Sequence, residues 1–599
     1  MGSDETSYEE IRKRLSRVGC KPIWIAVAFV VAFFLYLGRR EFSTEEALLV
    51  TAAREILRNG EWLQFTVLNQ SVDLFPLPVW LTQAGLLLKK MIEPAIEGVF
   101  SYASFVNHLV AGSGTTVFLE RCVRLTSVIA VGVMVLFTGL ATRKRVGALA
   151  GAVAAMAVCT NPLVLQYGSK ASGEGIFAAL ICGAWFCLYW RGRLGKRWNQ
   201  AWALAILLTT IAAAVQGFIA FVYFYVPLLF LPRALGIRRR MLTPRHLVSI
   251  GGVLALASVG YGLFFEHRFF PWVGLNFVVF GGEGGELWQH YLLFPLKAGA
   301  ALLPWSLLLW PAFCVAYDPL DKAPDLSRYL RRIVVVLFVF CWLVPHAGVQ
   351  SLLVLTAPAA VLVGLHFEIL VRRYTHVFRC IIHGVARSIS IVAAVCGVFV
   401  LLRISDVVQV GDTKLSVWLG LLLAVIIAFT LSRMSLQKWW EPHYWVHVGL
   451  LVVAGWVLWL GVLPLVRPFR EISAEKQATR LVRQVPEGQT VYSTTGKALV
   501  RHAAYMPQLV RMVASPEEIP EERGLVYVLG GEDPPIAEER SWSAVSLPVV
   551  LNPQIEPRVR LRSDTPYAVS FVPHFAEREK DASASVVRMY KGVLKSGVD

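Results

Sequence analysis

The residues best suited to chemistry in this 599-residue chain are carboxylates and cations set beside long apolar runs. Glu45 and Glu46 are adjacent, and a carboxylate at a membrane face can accept a proton or orient a hydroxyl group. Lys170 and Glu174 are spaced i, i+4, the separation at which opposite charges meet on one helix face. Arg54, Arg58, Arg268, His290 and Lys297 fall on or near the same side of the apolar runs, with Arg39, Arg40, Lys89 and Lys90, and such cations can hold an anion. Lys297 lies within an apolar run, where a charge usually faces a polar cavity. Each group also has a plainer reading. Ser43 and Glu46 form a capping box for a short outer helix that Asn59-Gly60 ends and that is expected to lie along the membrane interface, and Glu45 places favourable charge at its N-terminus. Arg54 and Arg58, four apart, suit contact with lipid headgroups, Lys170 with Glu174 suits an ordinary helix-start ion pair, and the lone His290 and His346 suit packing roles.

Other chemistries find little support. The glycines of GGEGGE at 281–286 follow no strand and precede no helix opening with Lys-Ser/Thr, so they do not form a phosphate loop and read as an outer lid. No His or Cys cluster has metal-ligand spacing, although Glu45, Glu46 and Glu174 would supply an oxygen site for a divalent cation if they converge. The nine cysteines lie mostly within or beside apolar runs and read as small buried hydrophobes.

The elements that position these groups follow from composition. Hydrophobic residues make up 56% of the chain, charged residues 17%, and the mean hydropathy is +0.56, which excludes a soluble globule and predicts an all-α polytopic membrane protein. Apolar windows predict about thirteen spans, near 22–38, 118–140, 146–165, 174–190, 200–214, 216–232, 247–265, 291–313, 331–345, 348–366, 388–402, 415–432 and 444–463. The run 200–232 admits either two short helices or one helix and a re-entrant piece. The N-terminus has a long polar lead without a small-residue cleavage site, which predicts an uncleaved first span.

A formal charge of +17 would suggest nucleic acid for a soluble protein, but here the excess lies largely in short loops on one side. Arg143 to Arg145, Arg191 to Arg197, Arg238 to Arg240 and Arg331 to Arg332 are examples. That pattern predicts a cytoplasmic N-terminal tail (1–21), a membrane domain (22–467) with outer loops at 39–117 and 266–290, and a small outer, periplasmic α/β domain (468–599). Short apolar runs at 489–494, 524–530, 567–573 and 585–590 predict strands, and 474–484 predicts a helix.

The first outer loop resembles the polytopic GT-C glycosyltransferases that use polyprenyl-phosphate sugars, the family of the lipid A aminoarabinose transferases and protein O-mannosyltransferases. The residues that carry the resemblance are Glu45-Glu46, Ala53-Arg54-Glu55-Ile56-Leu57, Gly60-Glu61-Trp62-Leu63, Leu68-Asn69, Asp73, Pro76 and Trp80-Leu81. Arg121 or Arg124 at the second span, YGSKASGEGIFAAL at 167–180, ALLPWSLLL at 301–309 and Pro345-His346 extend it along most of the chain.

This likeness implies a sugar moved from a polyprenyl-phosphate donor to a lipid, glycan or protein acceptor on the outer face of the inner membrane. Glu45 would be the catalytic carboxylate and Glu174 a second one. Glu46, Arg54, Arg58, Lys170, Arg268, His290, Lys297 and His346 would contact substrate, and an apolar groove would take the lipid tail. Family positions that carry Arg-Tyr, Lys, Lys and Lys are here Leu48-Leu49, Leu74, Gln216 and Val344. Those replacements motivate the alternative of a catalytically silent relative that binds lipid-linked glycan or supports a partner enzyme. A transporter is disfavoured by the lack of internal repeats.

Overall fold

The structure, a computed structural model, describes residues 42–62, 65–68, 70–72, 74–100, 115–241, 243–264, 284–344 and 348–373. In the C-terminal part it describes 474, 477–478, 481, 485–486, 489–493, 500–513, 526–530, 540–544, 549–551 and 585–594. The N-terminal tail, the spans expected at 22–38, 388–402, 415–432 and 444–463, the strand expected at 567–573, and Arg268 and His346 lie outside these residues.

Helix α1 (Thr44–Asn59) begins and ends where its local sequence dictates. Ser43 caps it, with Glu46 completing the capping box, and Gly60 closes it at φ +75° in the left-handed region that glycine adopts without strain. A short hairpin of β1 (Thr66–Val67) and β2 (Gln70–Ser71) leads into α2 (Pro76–Phe100).

A helical bundle follows, formed by α3 (Thr115–Val146), α4 (Ala148–Cys159), α5 (Glu174–Cys187), α6 (Trp198–Gln216), α7 (Ile219–Leu229), the short α8 (Ile237–Met241), α9 (Pro244–Phe264), α10 (Gly284–Ala301), α11 (Pro324–Leu343) and α12 (Thr356–Arg373). Large apolar side chains fill its centre: Trp185, Phe186, Phe224, Tyr189 and Tyr329 are almost wholly buried. The two tyrosines stack at 5.4 Å, and the Tyr329 hydroxyl donates to the Trp185 carbonyl at 2.9 Å, so its polar end is satisfied inside the core.

Among the described residues, the stretches Leu119–Val146, Glu174–Leu194, Trp198–Gln216 and Val349–Phe367 are long and apolar enough to cross a bilayer. The span expected at 291–313 is broken instead: His290–Ala301 and Trp305–Phe313 meet at 91°. Pro304 and Pro311 supply no N–H to an α-helical ladder, and the chain between them forms 3₁₀ turns. The ambiguous run 200–232 forms two helices, α6 and α7, separated at Gly217.

In the C-terminal part, β3 (Thr490–Ser493), β4 (Leu509–Met512), β5 (Val526–Gly530), β6 (Arg540–Ala544), β7 (Val549–Leu551) and β8 (Ser585–Leu594) form one mixed sheet, with α13 (Val500–Ala503) between β3 and β4. Strand β3 pairs in parallel with β4 and β5, while β8 pairs antiparallel with β5, β6 and β7. This part shares an apolar core with α1 that includes Leu49, Ala53, Ile56, Val500, Met506 and Leu529. Met512 N–H also donates to the Leu68 carbonyl at 2.9 Å. Helix α1, expected to lie along the membrane interface, is therefore buried on most of its surface beneath the C-terminal part.

Candidate functional site

The site grows from the N-terminus of α1. Glu46 is fully buried, and Arg124 of α3 grips it with two hydrogen bonds, Nε to Oε1 at 2.8 Å and Nη2 to Oε2 at 2.9 Å. Ala171 N–H donates to Oε1 at 3.0 Å, and Ser43 N–H and hydroxyl donate to Oε2 at 3.0 and 3.2 Å. A buried carboxylate is tolerable only when it is paired and hydrogen-bonded, and this one is both. Burial alone would raise its pKa, but the Arg124 charge and these donors bring it from 4.5 down to about 2.

The consequence for stability has a definite sign. The folded-state pKa lies below the ordinary carboxylate value, so the stabilisation is complete above about pH 4.5 and is lost as pH falls towards 2. Thermal unfolding of wild type and Glu46→Gln across that window should show a wild-type advantage of about 3 kcal/mol at neutral pH that vanishes in acid. An advantage independent of pH would refute the ion pair's role.

The second segment is the turn before α5. The chain reverses at Gly173, where φ is +90°, and a Cβ there would come within 2.8 Å of Val215 Cγ1 and 3.2 Å of Pro78 Cγ. A Cβ on Gly175 would meet the Gly168 carbonyl oxygen at 2.5 Å. Both glycines are needed for the turn to close against its neighbours. Gly173→Ala should cost about 1–3 kcal/mol more than Gly60→Ala, because Gly60 also has positive φ but nothing within 4 Å of its added carbon. Unfolding midpoints in detergent check this, and equal losses would show that the turn yields freely.

That turn presents Lys170, Ser172 and Glu174. The Ser172 hydroxyl donates to Glu174 Oε2, and the Lys170 ammonium lies 4.8 Å above the Tyr167 ring. Lys170 and Glu174 are both 8% exposed. The charges of Lys170, Glu45 and Glu46 all bear on the Glu174 carboxylate. Glu45 is half-buried and, among the described residues, makes no hydrogen bond or ion pair of its own. The fold thus brings Glu45, Glu46, Lys170 and Glu174 together from segments more than a hundred residues apart in sequence.

The other candidates are placed elsewhere. Arg54 donates to the carbonyls of Ala503 at 3.4 Å and Met506 at 2.8 Å, and Arg58 donates to Pro507 at 2.9 Å. Burial and the neighbouring Arg58 lower the Arg54 pKa to about 10, which leaves it charged at neutral pH. His290 Nε2 meets the Trp342 carbonyl at 3.1 Å, and Lys297, exposed on α10, is its charged neighbour. Leu48, Leu49 and Leu74, at positions where the resemblance would put polar groups, are packed into the core. Among the described residues, no three His, Cys, Asp or Glu side chains converge as a metal site requires, so the proposed oxygen site for a divalent cation does not form there.

Sequence reasoning noted Arg124 as the start of a span but missed Glu120 and Tyr505. Glu120 lies 3.9 Å from Arg124 at i, i+4, and its Oε1 accepts from the Tyr505 hydroxyl at 2.5 Å. The available signal was an acid and a base one turn apart at the head of an apolar helix.

No family model and no curated protein matches this sequence. Its fold does match solved structures. ArnT from Cupriavidus metallidurans bound to undecaprenyl phosphate aligns with a TM-score of 0.55 and 13% identity, over 85% of this chain and 93% of that one. The same protein in the apo state aligns with a TM-score of 0.58 and 14% identity, over 85% and 92%. The chain therefore shares the fold of these ArnT structures, the fold that the resemblance in the first outer loop implied.

Proposed function

We propose that this protein is a glycosyltransferase that moves a sugar from a polyprenyl-phosphate donor to a lipid, glycan or protein acceptor at the membrane face bearing Glu45. The observation that carries the reading is the grouping of a half-buried carboxylate, without a hydrogen bond or ion pair among the described residues, with a second carboxylate and a buried lysine, on a fold whose solved counterpart holds undecaprenyl phosphate. The acceptor oxygen attacks the anomeric carbon while Glu45 takes its proton. The bond from that carbon to the phosphate oxygen breaks, and the polyprenyl phosphate departs with the electron pair, its charge met by Lys170. Glu46 does not touch substrate in this scheme. It fixes α1 and the Ala171 turn, and so the spacing of Glu45, Lys170 and Glu174.

A small, mostly apolar recess lies between α4, α12 and the broken segment. Ala157, Leu302, Trp305, Leu309, Ala360 and Val363 line most of it. The opposite end of the bundle is basic: Arg145 lies over the Trp190 ring at 5.2 Å, and Arg193 pairs with Asp325 at 3.3 Å. From Arg124 to Arg145 helix α3 rises roughly 30 Å, about the thickness of a bilayer core. Positive charge at that end supports a cytoplasmic placement there, with the site and the C-terminal part on the periplasmic side of the inner membrane.

The test is release of free polyprenyl phosphate by purified protein in proteoliposomes, given a panel of polyprenyl-phosphate sugars and an envelope extract as acceptor. Release that requires both donor and acceptor is expected. No release with any donor overturns the proposal.

A further inference from the structure

We infer that Tyr505, far along the chain in the C-terminal part, is a positioning residue that sets the register of the two carboxylate-bearing segments. The inference deepens the transferase reading and rests on it for its kinetic arm. The Tyr505 hydroxyl accepts the Phe42 N–H at 2.8 Å and donates its own proton to Glu120 Oε1 at 2.5 Å. A phenol has one proton and two lone pairs, so a single oxygen satisfies both partners at once. Its ring stacks on Phe42 at 5.3 Å with a 29° tilt.

Each partner leads to the site. Phe42 precedes the helix cap, so its N–H fixes where the chain enters α1, three residues before Glu45. Glu120 lies 3.9 Å from Arg124, Arg124 holds Glu46, and Glu46 accepts from Ala171 in the turn carrying Lys170 and Glu174. Phe42, Glu46, Glu120, Arg124 and Tyr505 are all buried, so water cannot substitute for a lost bond without opening the cluster.

The far end of α1 is held by the same stretch. Arg54 and Arg58 bind the carbonyls of residues 503, 506 and 507, so residues 503–507 clamp the helix at both ends. The C-terminal part is therefore built into the site, and removing one oxygen from it should disturb the aim of Glu45.

Tyr505→Phe removes that oxygen and keeps the ring. The full-length protein carries two independent readouts: the rate of carbodiimide coupling at Glu45, followed by peptide mass spectrometry, and the kcat and KM for polyprenyl-phosphate release. Tyr505→Phe should speed Glu45 coupling roughly 3-fold or more and lower kcat about 10-fold, with KM changed by less than about 2-fold. Glu120→Gln keeps an acceptor for the hydroxyl but loses the ion pair with Arg124, and should stay closer to wild type than Tyr505→Phe in both readouts. Arg193→Gln, at the opposite end of the bundle, should couple and turn over as wild type does.

Wild-type coupling and kcat in Tyr505→Phe would overturn the inference. If that variant fails to fold, Glu120→Ala removes the acceptor instead and is judged by the same two readouts. If wild type releases no lipid phosphate, the transferase reading falls, and the coupling rate alone decides the positioning role.

Discussion

Glu45→Gln should slow polyprenyl-phosphate release by about 10²–10⁴-fold while leaving KM and thermal stability close to wild type, the range expected when a positioned general base is lost. Glutamine has the shape of glutamate but cannot take a proton at neutral pH. Glu45 makes no hydrogen bond or ion pair among the described residues, so the exchange breaks no visible contact. The half-buried position also leaves room for the amide to be solvated. An unchanged kcat would remove Glu45 from the chemistry. A large drop accompanied by a lower unfolding midpoint would move it to a structural role, the role already visible for its neighbour Glu46.

Arg124→Ala should destabilise the folded state by about 3–5 kcal/mol, the cost of leaving a buried charge without its partner. Glu46 would keep only the Ser43 and Ala171 donors at a site with no exposure to water. Glu120 would lose its neighbour as well. Because the penalty comes from the stranded carboxylates, the double variant Arg124→Ala with Glu46→Gln should be more stable than Arg124→Ala alone. Chemical unfolding of the two single variants and the double variant gives this coupling directly. Strictly additive losses would show that the two side chains do not depend on each other.

Legibility in the sequence followed the range of the interactions. Helix α1 was readable to its last residue because its signals are local: Ser43 and Glu46 at one end, Asn59-Gly60 at the other. Spans near 118–140, 174–190, 200–214 and 348–366 were readable because bilayer-length apolar runs carry their own evidence. The break inside 291–313 was not, because hydropathy is blind to the missing N–H group of Pro304. Strands β3, β5 and β8 showed themselves as apolar runs, whereas β4 (LVRM) is only four residues long with an Arg inside it and β6 (RSWSA) is largely polar, so both owe their state to their pairing partners.

The same contrast governs the site. Glu45 and the Lys170–Glu174 pair could be nominated from neighbouring residues. The partners of Arg54 could not, since its carbonyl acceptors lie 449 and 452 positions away. Sequence reasoning sent Arg54 and Arg58 towards phosphate, and the structure shows them fastening the C-terminal part to α1. Leu48, Leu49 and Leu74 explain why a cationic cradle at those positions is absent: α1 is covered by protein, and its neighbourhood is packed as a core.

The most direct test is the location of a lipid phosphate on the protein. A structure of the full chain with undecaprenyl phosphate should show the phosphate in contact with the Lys170 ammonium and beside Glu45. A phosphate bound at the basic end near Arg145 and Arg193, or held by groups remote from Lys170 and Glu45, would contradict the proposed site.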